Sequence, residues 1–277
     1  MAFEKFDLTG KTALITGAAG LLGLQHAHAL LESGASVILT DIKNDQLLIA
    51  KSKLDKTFES SKIFSEVMDV SNFDEVTDMS HRLQLKNLTV DILVNNAAID
   101  PKVKSDSSSL EASRFENFSL DQWNKEISVG LTGAFICSQV FGSLMAKSIK
   151  NGVILNIASD LSIISPDQRL YNKSELSFEF QPVKPITYSV IKSGLLGLTR
   201  YLSTYWVNSG IRCNALSPGG IFNGQSDEFV KRISSLIPMG RMANYDEYRS
   251  AVQFLCSDAS SYMNGQNVVI DGGRSVW

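Results

Sequence analysis

The sequence lacks both an excess of basic charge and any long hydrophobic run. Its 277 residues include 26 Lys and Arg against 29 Asp and Glu, a formal net charge of −3 at pH 7. Nucleic acids and anionic membranes select basic surfaces, so neither is expected as a partner. No apolar run reaches the ~18 residues of a membrane span, and the N-terminus MAFEKFDLTGKT lacks the layout of a signal peptide. We therefore expect a cytoplasmic protein with a small-molecule substrate.

Cysteine and histidine are also scarce, with three of each. The cysteines lie far apart in apolar surroundings, at Cys137, Cys213 and Cys256. They form no CxxC motif and are odd in number, which favours reduced thiols packed in the core. His26 and His28 would lie on different faces of a helix, and His81 is remote in sequence. Because this spacing provides no set of metal ligands, we expect no metal site.

What the sequence does contain is an alternation of short β-rich runs with longer helical patterns. Several runs are apolar almost throughout, which is typical of a parallel sheet covered by helices on both faces. No linker or repeat divides residues 1–277, so one α/β domain with a doubly wound sheet is predicted. The predicted strands are TALIT (12–16), SVILT (36–40), KIFSEV (62–67), DILVN (91–95), GVILNIA (152–158), IRCNALS (211–217) and NVVI (267–270).

Two polar stretches interrupt this alternation, near residues 100–119 and 160–185. Both follow the carboxyl ends of predicted strands, the edge at which open α/β sheets bind ligands. Long loops at that edge favour a role in substrate recognition, and the alternative is a mobile surface loop.

A glycine-rich turn, TGAAGLLG, runs from Thr16 to Gly23 between the first predicted strand and a helical segment. Glycine lets the backbone approach a pyrophosphate, and the free N–H groups of a helix N-terminus favour negative charge. The alternative for the turn alone is a tight connection between strand and helix. Asp41 ends the next predicted strand, 24 residues after Gly17. Dinucleotide folds place a carboxylate for the adenosine ribose hydroxyls near this position.

The same carboxylate predicts NAD rather than NADP as the cofactor, because it would repel the 2′-phosphate of NADP. Its neighbours Ile42 and Lys43 include no arginine, although Lys43 is a cation close by. Asp69, after the third predicted strand, has two interpretations. It contacts the adenine amino group, or it is the N-cap of the following helix.

A series of short motifs follows in a specific order: TGAAGLLG, Asp41, NNAA (95–98), NIAS (156–159), YSVIK (188–192), NALSPGG (214–220) and SDASSYMNGQNVVIDGG. In this order and spacing, they resemble the short-chain dehydrogenase/reductase family over nearly the whole chain. The resemblance implies a Rossmann-like sheet of seven parallel strands, NAD(P)-dependent interconversion of a carbonyl and an alcohol, and a homotetramer.

Carried over residue by residue, the resemblance assigns Ser159, Tyr188 and Lys192 as catalytic residues. Tyr188 and Lys192 are also assigned to the cofactor site. The other cofactor contacts that it implies are Gly17, Ala19, Leu21, Leu22, Gly23, Asp41, Asp69, Val70, Asn95, Ala97, Pro218, Gly219, Ile221 and Asn223.

The chain departs from the family pattern at three positions. Leu21 replaces the middle glycine of the usual TGxxxGxG, and Asn223 replaces a threonine that helps to hold the nicotinamide end. Gly130, in VGLTG, replaces the family's fourth catalytic residue, an asparagine that supports a proton-relay water. A mid-helix glycine costs about 1 kcal/mol relative to alanine, so we expect close packing or a helix distortion at Gly130.

Tyr188 and Lys192 are four residues apart, so on a helix both project from one face. Lowering the pKa of a phenol from about 10 to ~7 takes roughly 4 kcal/mol. An ammonium ~4 Å away supplies about that much at an effective dielectric of 20. Tyr188 is therefore the predicted acid/base. Lys192 also holds the nicotinamide ribose, and Ser159 donates to the substrate oxygen as negative charge develops there.

The insert between Ser159 and Tyr188 is longer than is usual in the family. It contains side chains suited to a polar, sugar-like or phosphorylated ligand: Gln168, Arg169, Tyr171 and Lys173. Three segments are similar to bacterial oxidoreductases of flagellin modification and nonulosonic acid pathways: this insert, the motif VGLTGAF and the ending GGRSVW. Two alternatives stay open. One is a 3-oxoacyl-carrier-protein reductase, although we find no basic docking patch; the other is an NAD-binding regulatory protein that has lost catalysis, which Gly130 favours.

Overall fold

The computed structural model describes residues 3–99, 113–148 and 151–277. The strands within these ranges are β1 (Thr12–Thr16), β2 (Ser36–Asp41), β3 (Ile63–Val67), β4 (Ile92–Asn95), β5 (Val153–Ile157), β6 (Arg212–Pro218) and β7 (Asn267–Ile270). They form one sheet in the order β3-β2-β1-β4-β5-β6-β7, and each neighbouring pair is parallel. The predicted Rossmann-like α/β fold is confirmed, and each predicted strand ends within one residue of the observed one.

Helices flank the sheet on both faces. They are α1 (Leu21–Glu32), α2 (Asn44–Leu54), α3 (Phe73–Leu85), α4 (Leu120–Lys147), α5 (Ile186–Tyr205), α6 (Asp227–Ser234) and α7 (Arg249–Cys256). Successive residues of β1 alternate between two cores, as strand geometry requires. Ala13 and Ile15 pack with α1 and α7, whereas Leu14 packs in the cluster that includes α3 and α4. Because both faces are covered, the strands are apolar throughout.

Helix α4 is irregular at the position that the sequence marks. It contains two wide π-helical segments, Ser128–Thr132 and Ser138–Gly142, so the expected distortion near Gly130 is present. A Cβ at Gly130 would lie 2.8 Å from Cγ2 of Ile191 on α5, so the glycine also permits close helix packing. Among the described residues, α4 alone has the length and apolar composition of a membrane span. Its Ile136 and Phe141 belong to the buried core.

The cysteines are all free and buried, as expected for core thiols. Burial raises the pKa of each thiol to about 12: Cys137, Cys213 and Cys256. A thiol that is protonated at neutral pH is a poor nucleophile, so these residues pack rather than react.

The two polar inserts are described to different extents. Residues 100–112 of the first insert lie outside the described residues. The second insert, 160–185, is built from three short 3-10 turns joined by extended chain: Asp160–Ser162, Gln168–Tyr171 and Phe178–Phe180. It leads directly into α5.

Candidate active site

The carboxyl ends of all the strands meet at one edge of the sheet, because the strands are parallel. The strand order reverses between β1 and β4, which is the point where such sheets bind ligands. The predicted cofactor and catalytic residues come from the ends of six strands or from the segments that follow them, apart from Tyr188 and Lys192 on α5. The fold thus gathers residues from across the chain along one edge.

The glycine-rich turn is packed too closely to admit side chains. Gly17 has a φ of +61°, which favours glycine, and a Cβ there would lie 2.8 Å from Cα of Ala97. A Cβ at Gly23 would lie 2.7 Å from Cα of Ala18 and would overlap the Gly17 carbonyl oxygen. Helix α1 begins after Gly20, which offers no side-chain cap, so the N-terminus of α1 suits a phosphate.

Asp41 lies against this turn. One carboxylate oxygen accepts a hydrogen bond from the Ala19 N–H at 3.2 Å, and the other accepts from the Lys43 N–H at 3.1 Å. The carboxylate is partly exposed, so it can also bind hydroxyl groups. The Asp41 carboxylate and the free N-terminus of α1 fit the ribose and pyrophosphate of a dinucleotide.

The two asparagines of the NNAA motif have different tasks. The buried Asn95 amide donates to Ser138 Oγ at 3.0 Å and to Asn156 Oδ1 at 2.8 Å, between α4 and β5. Asn96, which sequence reasoning missed, donates to the Thr16 and Gly17 carbonyl oxygens at 2.9 and 3.1 Å. Asn96 therefore holds the glycine-rich turn in place. The predicted contact of Asn95 with the cofactor stays a prediction, and the doubled asparagine was the available signal for Asn96.

Asp69 does not cap the helix that follows it. Its Oδ1 accepts from the Ser71 N–H at 2.9 Å and from Ser71 Oγ at 2.7 Å. The N-cap of α3 is Asn72, whose side chain accepts from the N–H groups of Asp74 and Glu75. The N-cap alternative for Asp69 is wrong because α3 starts later than that interpretation requires.

Helix α5 carries Tyr188 and Lys192, as predicted. Lys192 is buried, and its Nζ donates to the Ile157 carbonyl oxygen at 2.7 Å. The same Nζ lies 5.7 Å from the centroid of the Tyr188 ring. Ile157 ends β5, two residues before Ser159. The structure thus brings the helical Tyr-Lys pair to the strand end from which Ser159 follows.

A second lysine lies over the same phenol. Lys184 Nζ is 3.9 Å from the centroid of the Tyr188 ring, closer than Lys192. Its backbone N–H donates to Gln168 Oε1 at 2.8 Å, which ties the insert to the start of α5. A nearby cation favours the ionised form of a phenol. Sequence reasoning missed Lys184, although its position four residues before Tyr188 was an available signal.

Ser159 is bonded to a buried ion pair. Its Oγ donates to Asp160 Oδ1 at 2.8 Å and accepts from the Leu161 N–H at 3.2 Å. Asp160 Oδ2 accepts from Arg274 Nη1 at 2.8 Å, and both side chains of this pair are more than nine-tenths buried. Arg274 is 114 residues away in sequence, and no local signal pointed to it.

Another buried carboxylate is bonded to Thr187, the residue before Tyr188. Glu126 on α4 is 1% exposed and accepts hydrogen bonds from Thr187 Oγ1 and Gln122 Nε2. Thr187 immediately precedes Tyr188, in the first turn of α5, where Pro185 provides no side-chain cap. Negative charge at a helix N-terminus is favourable, so Glu126 anchors the end of α5 that carries Tyr188. Sequence reasoning also missed Glu126.

The polar residues of the insert do not converge. Gln168 lines a cavity of about 450 Å³ at the start of α5, together with Arg114, Lys184 and Ser189. Arg169 instead points outward, 83% exposed, and pairs with Asp167 at 2.7 Å. The Tyr171 ring packs on Phe229 at 5.8 Å, and the Lys173 backbone is bonded to Gln181. The set suggested by the sequence is therefore divided, because local pairing and packing take the side chains of Arg169 and Tyr171.

Comparison with known proteins agrees with this geometry. The family model described as enoyl-(acyl carrier protein) reductase matches residues 17–275. The chain is 29% identical to the NAD-dependent glycerol dehydrogenase of Listeria innocua, covering 99% of this chain and 98% of that protein. It is 31% identical to the 2-dehydro-3-deoxy-D-gluconate 5-dehydrogenase of Bacillus subtilis, covering 98% and 96%.

A solved structure is similar over the full length. It is a gluconate 5-dehydrogenase from Burkholderia cenocepacia in complex with NADP and tartrate. Identity is 27%, the TM-score is 0.83, and 100% of both chains is covered. The similar proteins thus include one named for NAD and one bound to NADP.

Proposed function

The chain belongs to the short-chain dehydrogenase/reductase family, and within it we propose an NAD(H)-dependent oxidoreductase that interconverts a secondary alcohol and a carbonyl on a polyol or sugar-like substrate. The observation that carries the proposal is the position of Lys192. Its buried ammonium links the Tyr188 ring to the end of β5, at the edge that also holds the glycine-rich turn. An incidental Tyr-Lys spacing on a surface helix would not bury the ammonium there.

Asp41 supports the choice of NAD over NADP. Its carboxylate would bind the ribose hydroxyls and would repel a 2′-phosphate, while the N-terminus of α1 would hold the pyrophosphate. Gly17 and Gly23 leave the backbone clear for this approach. The bound nicotinamide would exchange a hydride with the substrate carbon.

Tyr188 would move the proton. In oxidation its phenolate takes the hydroxyl proton of the substrate, and in reduction the phenol returns it. Lys192 and Lys184 are cations 5.7 and 3.9 Å from the ring, so both favour the phenolate. Ser159 would position the substrate oxygen beside Tyr188. Lys192 would also hold the nicotinamide ribose.

A polyol or sugar-acid substrate is supported by similarity and by the site. The glycerol, gluconate and 2-dehydro-3-deoxy-D-gluconate dehydrogenases act on polar, hydroxyl-rich molecules. The cavity at the start of α5 has polar side chains in its lining, among them Arg114, Gln168 and Lys184. Phe115, Val183 and Ile186 add apolar contacts to this lining, so the choice of a hydroxyl-rich substrate rests on the similar proteins together with these polar groups.

We also propose a cytoplasmic homotetramer. The helices α4 and α5 expose large apolar or aromatic side chains on their outer faces, where an isolated subunit would contact water. Phe135 is 49% exposed, and Tyr201 and Tyr205 are 63% and 62% exposed. Light scattering tests this assembly, and a strictly monomeric mass would exclude it.

The decisive experiment is an initial-rate screen that follows NADH absorbance. The panel contains polyols, sugar acids, amino sugars and their phosphates as alcohols with NAD⁺ and NADP⁺, and the matching carbonyls with NADH. Steady turnover with at least one hydroxyl-rich substrate is expected. Turnover only with 3-oxoacyl thioesters would favour the carrier-protein reductase. NAD binding without any turnover would favour the regulatory protein.

A further inference from the structure

The buried pair of Asp160 and Arg274 has no role in the site as described so far. Its Oδ2–Nη1 distance is 2.8 Å, and the two side chains are 4% and 8% exposed. Burying two charges is unfavourable, and an apolar pair of similar size is often as stable. Stability alone therefore gives little reason for an ion pair at this position.

The chain is shaped to deliver Arg274 to this position. Gly272 and Gly273, after β7, have φ values of +67° and +89°, which side chains rarely adopt. Asp271 accepts from the N–H groups of Gly273 and Ser275, at 2.9 and 2.8 Å, and so fixes the turn. The position of Arg274 is thus fixed by a turn that two glycines and the Asp271 carboxylate stabilise.

Asp160 in turn contacts the catalytic serine. Its Oδ1 accepts from both Ser159 Oγ and the Leu161 N–H, each at 2.8 Å. A carboxylate paired with a guanidinium only accepts hydrogen bonds, so the Ser159 proton points to Asp160. The Leu161 N–H takes one lone pair of Ser159 Oγ, and the other can accept from a substrate hydroxyl group. The donation to a substrate oxygen that the sequence predicts requires the Ser159 proton to turn away from Asp160.

The pair also lies beside the helix of the acid/base. The turn Asp160–Ser162 packs against α5, and Ser193 Oγ donates to the Ser162 carbonyl oxygen at 3.2 Å. An unpaired carboxylate at this turn would oppose a negative charge on Tyr188. Arg274 neutralises that charge, and Asp160 can still hold the Ser159 hydroxyl in place.

We propose that Asp160 and Arg274 are a positioning pair for catalysis, in which Asp160 fixes the Ser159 hydroxyl and Arg274 cancels the charge that Asp160 would place beside Tyr188. The proposal rests on the proposed oxidoreductase function. It adds a segment near the C-terminus to the machinery of the site.

Other charged and titratable groups face the same region. Lys184 and Lys192 contact the Tyr188 ring, and Glu126 on α4 is bonded to Thr187 next to it. Near the pair, Tyr248 on the approach to α7 donates to the Gly219 carbonyl oxygen. Burial and the charge of Asp160 raise the pKa of Tyr248, so it stays neutral over the range tested.

The test uses two single variants that change the net charge of the pair in opposite directions. Arg274→Met leaves a negative charge near Tyr188, Asp160→Asn leaves a positive one, and the double variant leaves none. We expect the ionisation of Tyr188 to move to higher pH in Arg274→Met and to lower pH in Asp160→Asn, each by about 1 unit. The double variant should return close to the wild-type value.

Two measurements report this ionisation. One is the pH profile of kcat/KM for alcohol oxidation. The other needs no turnover: the tyrosinate absorbance of each protein minus that of the same protein carrying Tyr188→Phe. The absorbance titration therefore decides this inference even if the substrate screen fails. Arg241→Met removes an exposed ion pair with Glu247, at 2.6 Å, and serves as the control.

Shifts of the same sign in both single variants, or none in either, would overturn the proposal. The proposal would also be overturned if the pKa of Tyr188 shifted as far in the double variant as in Arg274→Met. Because a single unpaired charge in the interior can unfold the chain, each variant is first checked by thermal unfolding. Arg274→Lys keeps the charge and should keep the wild-type titration; if Arg274→Met unfolds, Asp160→Asn and the double variant still decide between the outcomes.

Discussion

The proposed cofactor side of the site, residues 12–99, and its proposed catalytic side, residues 151–277, are held together by different contacts. On the cofactor side, backbone packs on backbone at Gly17 and Gly23, where no Cβ fits. On the catalytic side, side chains form polar contacts across the fold, as Lys192 does with Ile157 and Arg274 with Asp160. Gly17 and Gly23 are therefore sensitive to added atoms, and Lys192 and Arg274 to removed ones.

The largest expected effect comes from removing one oxygen on the catalytic side. Tyr188→Phe deletes the proposed proton donor, and such groups contribute about 10²–10⁴-fold to rate. We expect kcat to fall by about 10³-fold while NAD affinity is nearly unchanged. Tyr262→Phe, at a fully exposed position in a turn outside the helices, is the control for a lost hydroxyl. Substantial activity in Tyr188→Phe would assign the acid/base role to another residue.

A histidine on the cofactor side should make stability depend on pH. His26 is fully buried, and its ring nitrogens make no hydrogen bond of regular geometry among the described residues. Burial lowers its pKa from 6.5 to about 4, although the neighbouring Asn96 side chain partly offsets this effect. As the pH falls, the unfolded chain binds a proton at His26 at a higher pH than the folded chain does. The free energy of unfolding that depends on His26 is therefore fully present above pH 6.5 and is lost as the pH falls towards 4. The loss is on the order of 3 kcal/mol.

Denaturant unfolding of the wild type and of His26→Leu at several pH values measures this effect. The quantity of interest is the difference between the two proteins, because contributions of other groups cancel in it. We expect the variant to lose less stability on acidification. Parallel pH dependences for the two proteins would show that His26 is not the cause.

Adding one methyl group tests the cofactor side directly. In Gly23→Ala the new Cβ would lie 2.7 Å from Cα of Ala18, where only backbone could give way. We expect unfolding free energy to fall by about 1–3 kcal/mol, with weaker NAD binding in a titration. Gly197→Ala on α5 adds the same group in open space and should stabilise by up to about 1 kcal/mol. If Gly23→Ala and Gly197→Ala changed the unfolding free energy equally, the glycine-rich turn would not be especially sensitive to an added methyl group.

Asp41 is the side chain that we propose decides between NAD and NADP. Wild-type protein should bind NAD(H) at least about tenfold more tightly than NADP(H), a gap of ~1.4 kcal/mol. Asp41→Ala should narrow this gap, because the repulsion of a 2′-phosphate is lost. Asp55→Ala, beyond the far end of α2, should leave the gap unchanged. Equal wild-type affinities for the two cofactors would contradict the assignment.

Gly130 is the exception, because this glycine lies outside residues 12–99 and permits close packing against α5, the helix that carries Tyr188. Because Ile191 occupies the space beside it, Gly130→Asn should lower stability, and adding Ile191→Ala should recover part of the loss. The rate should change by less than about tenfold, ~1.4 kcal/mol of barrier, since Tyr188 and Ser159 remain. An inert wild type with an active Gly130→Asn would instead show that the missing asparagine breaks the proton relay.

The local sequence pattern was sufficient to predict the strands and the helical placement of Tyr188 and Lys192. Apolar runs separated by helical patterns predicted the ends of each strand to within one residue. Strands that are buried on both faces are apolar at successive positions, so they are easy to recognise in the sequence. The i, i+4 spacing of Tyr188 and Lys192 placed both on one helix face. These features depend on residues that are close together in sequence.

Local pattern was insufficient where a side chain had a choice of partners. Both Asp69 and Asn72 could cap α3, and Asn72 does so because the helix starts at Phe73. Arg169 looked suited to a ligand, but the adjacent Asp167 binds it at the surface. Composition lists the groups that are available and does not say which of them pair.

By itself, then, the sequence determined the Rossmann-like fold, the glycine-rich turn and the Tyr-Lys pair, since these follow from local periodicity and motif spacing. Only the tertiary structure decided the longer connections. Arg274 meets Asp160 across 114 residues, and Thr187 meets Glu126 across 61. Such partners are chosen by how α4, α5 and the chain after β7 pack at one end of the sheet. That packing depends on shape and burial summed over the whole core, which no short segment contains.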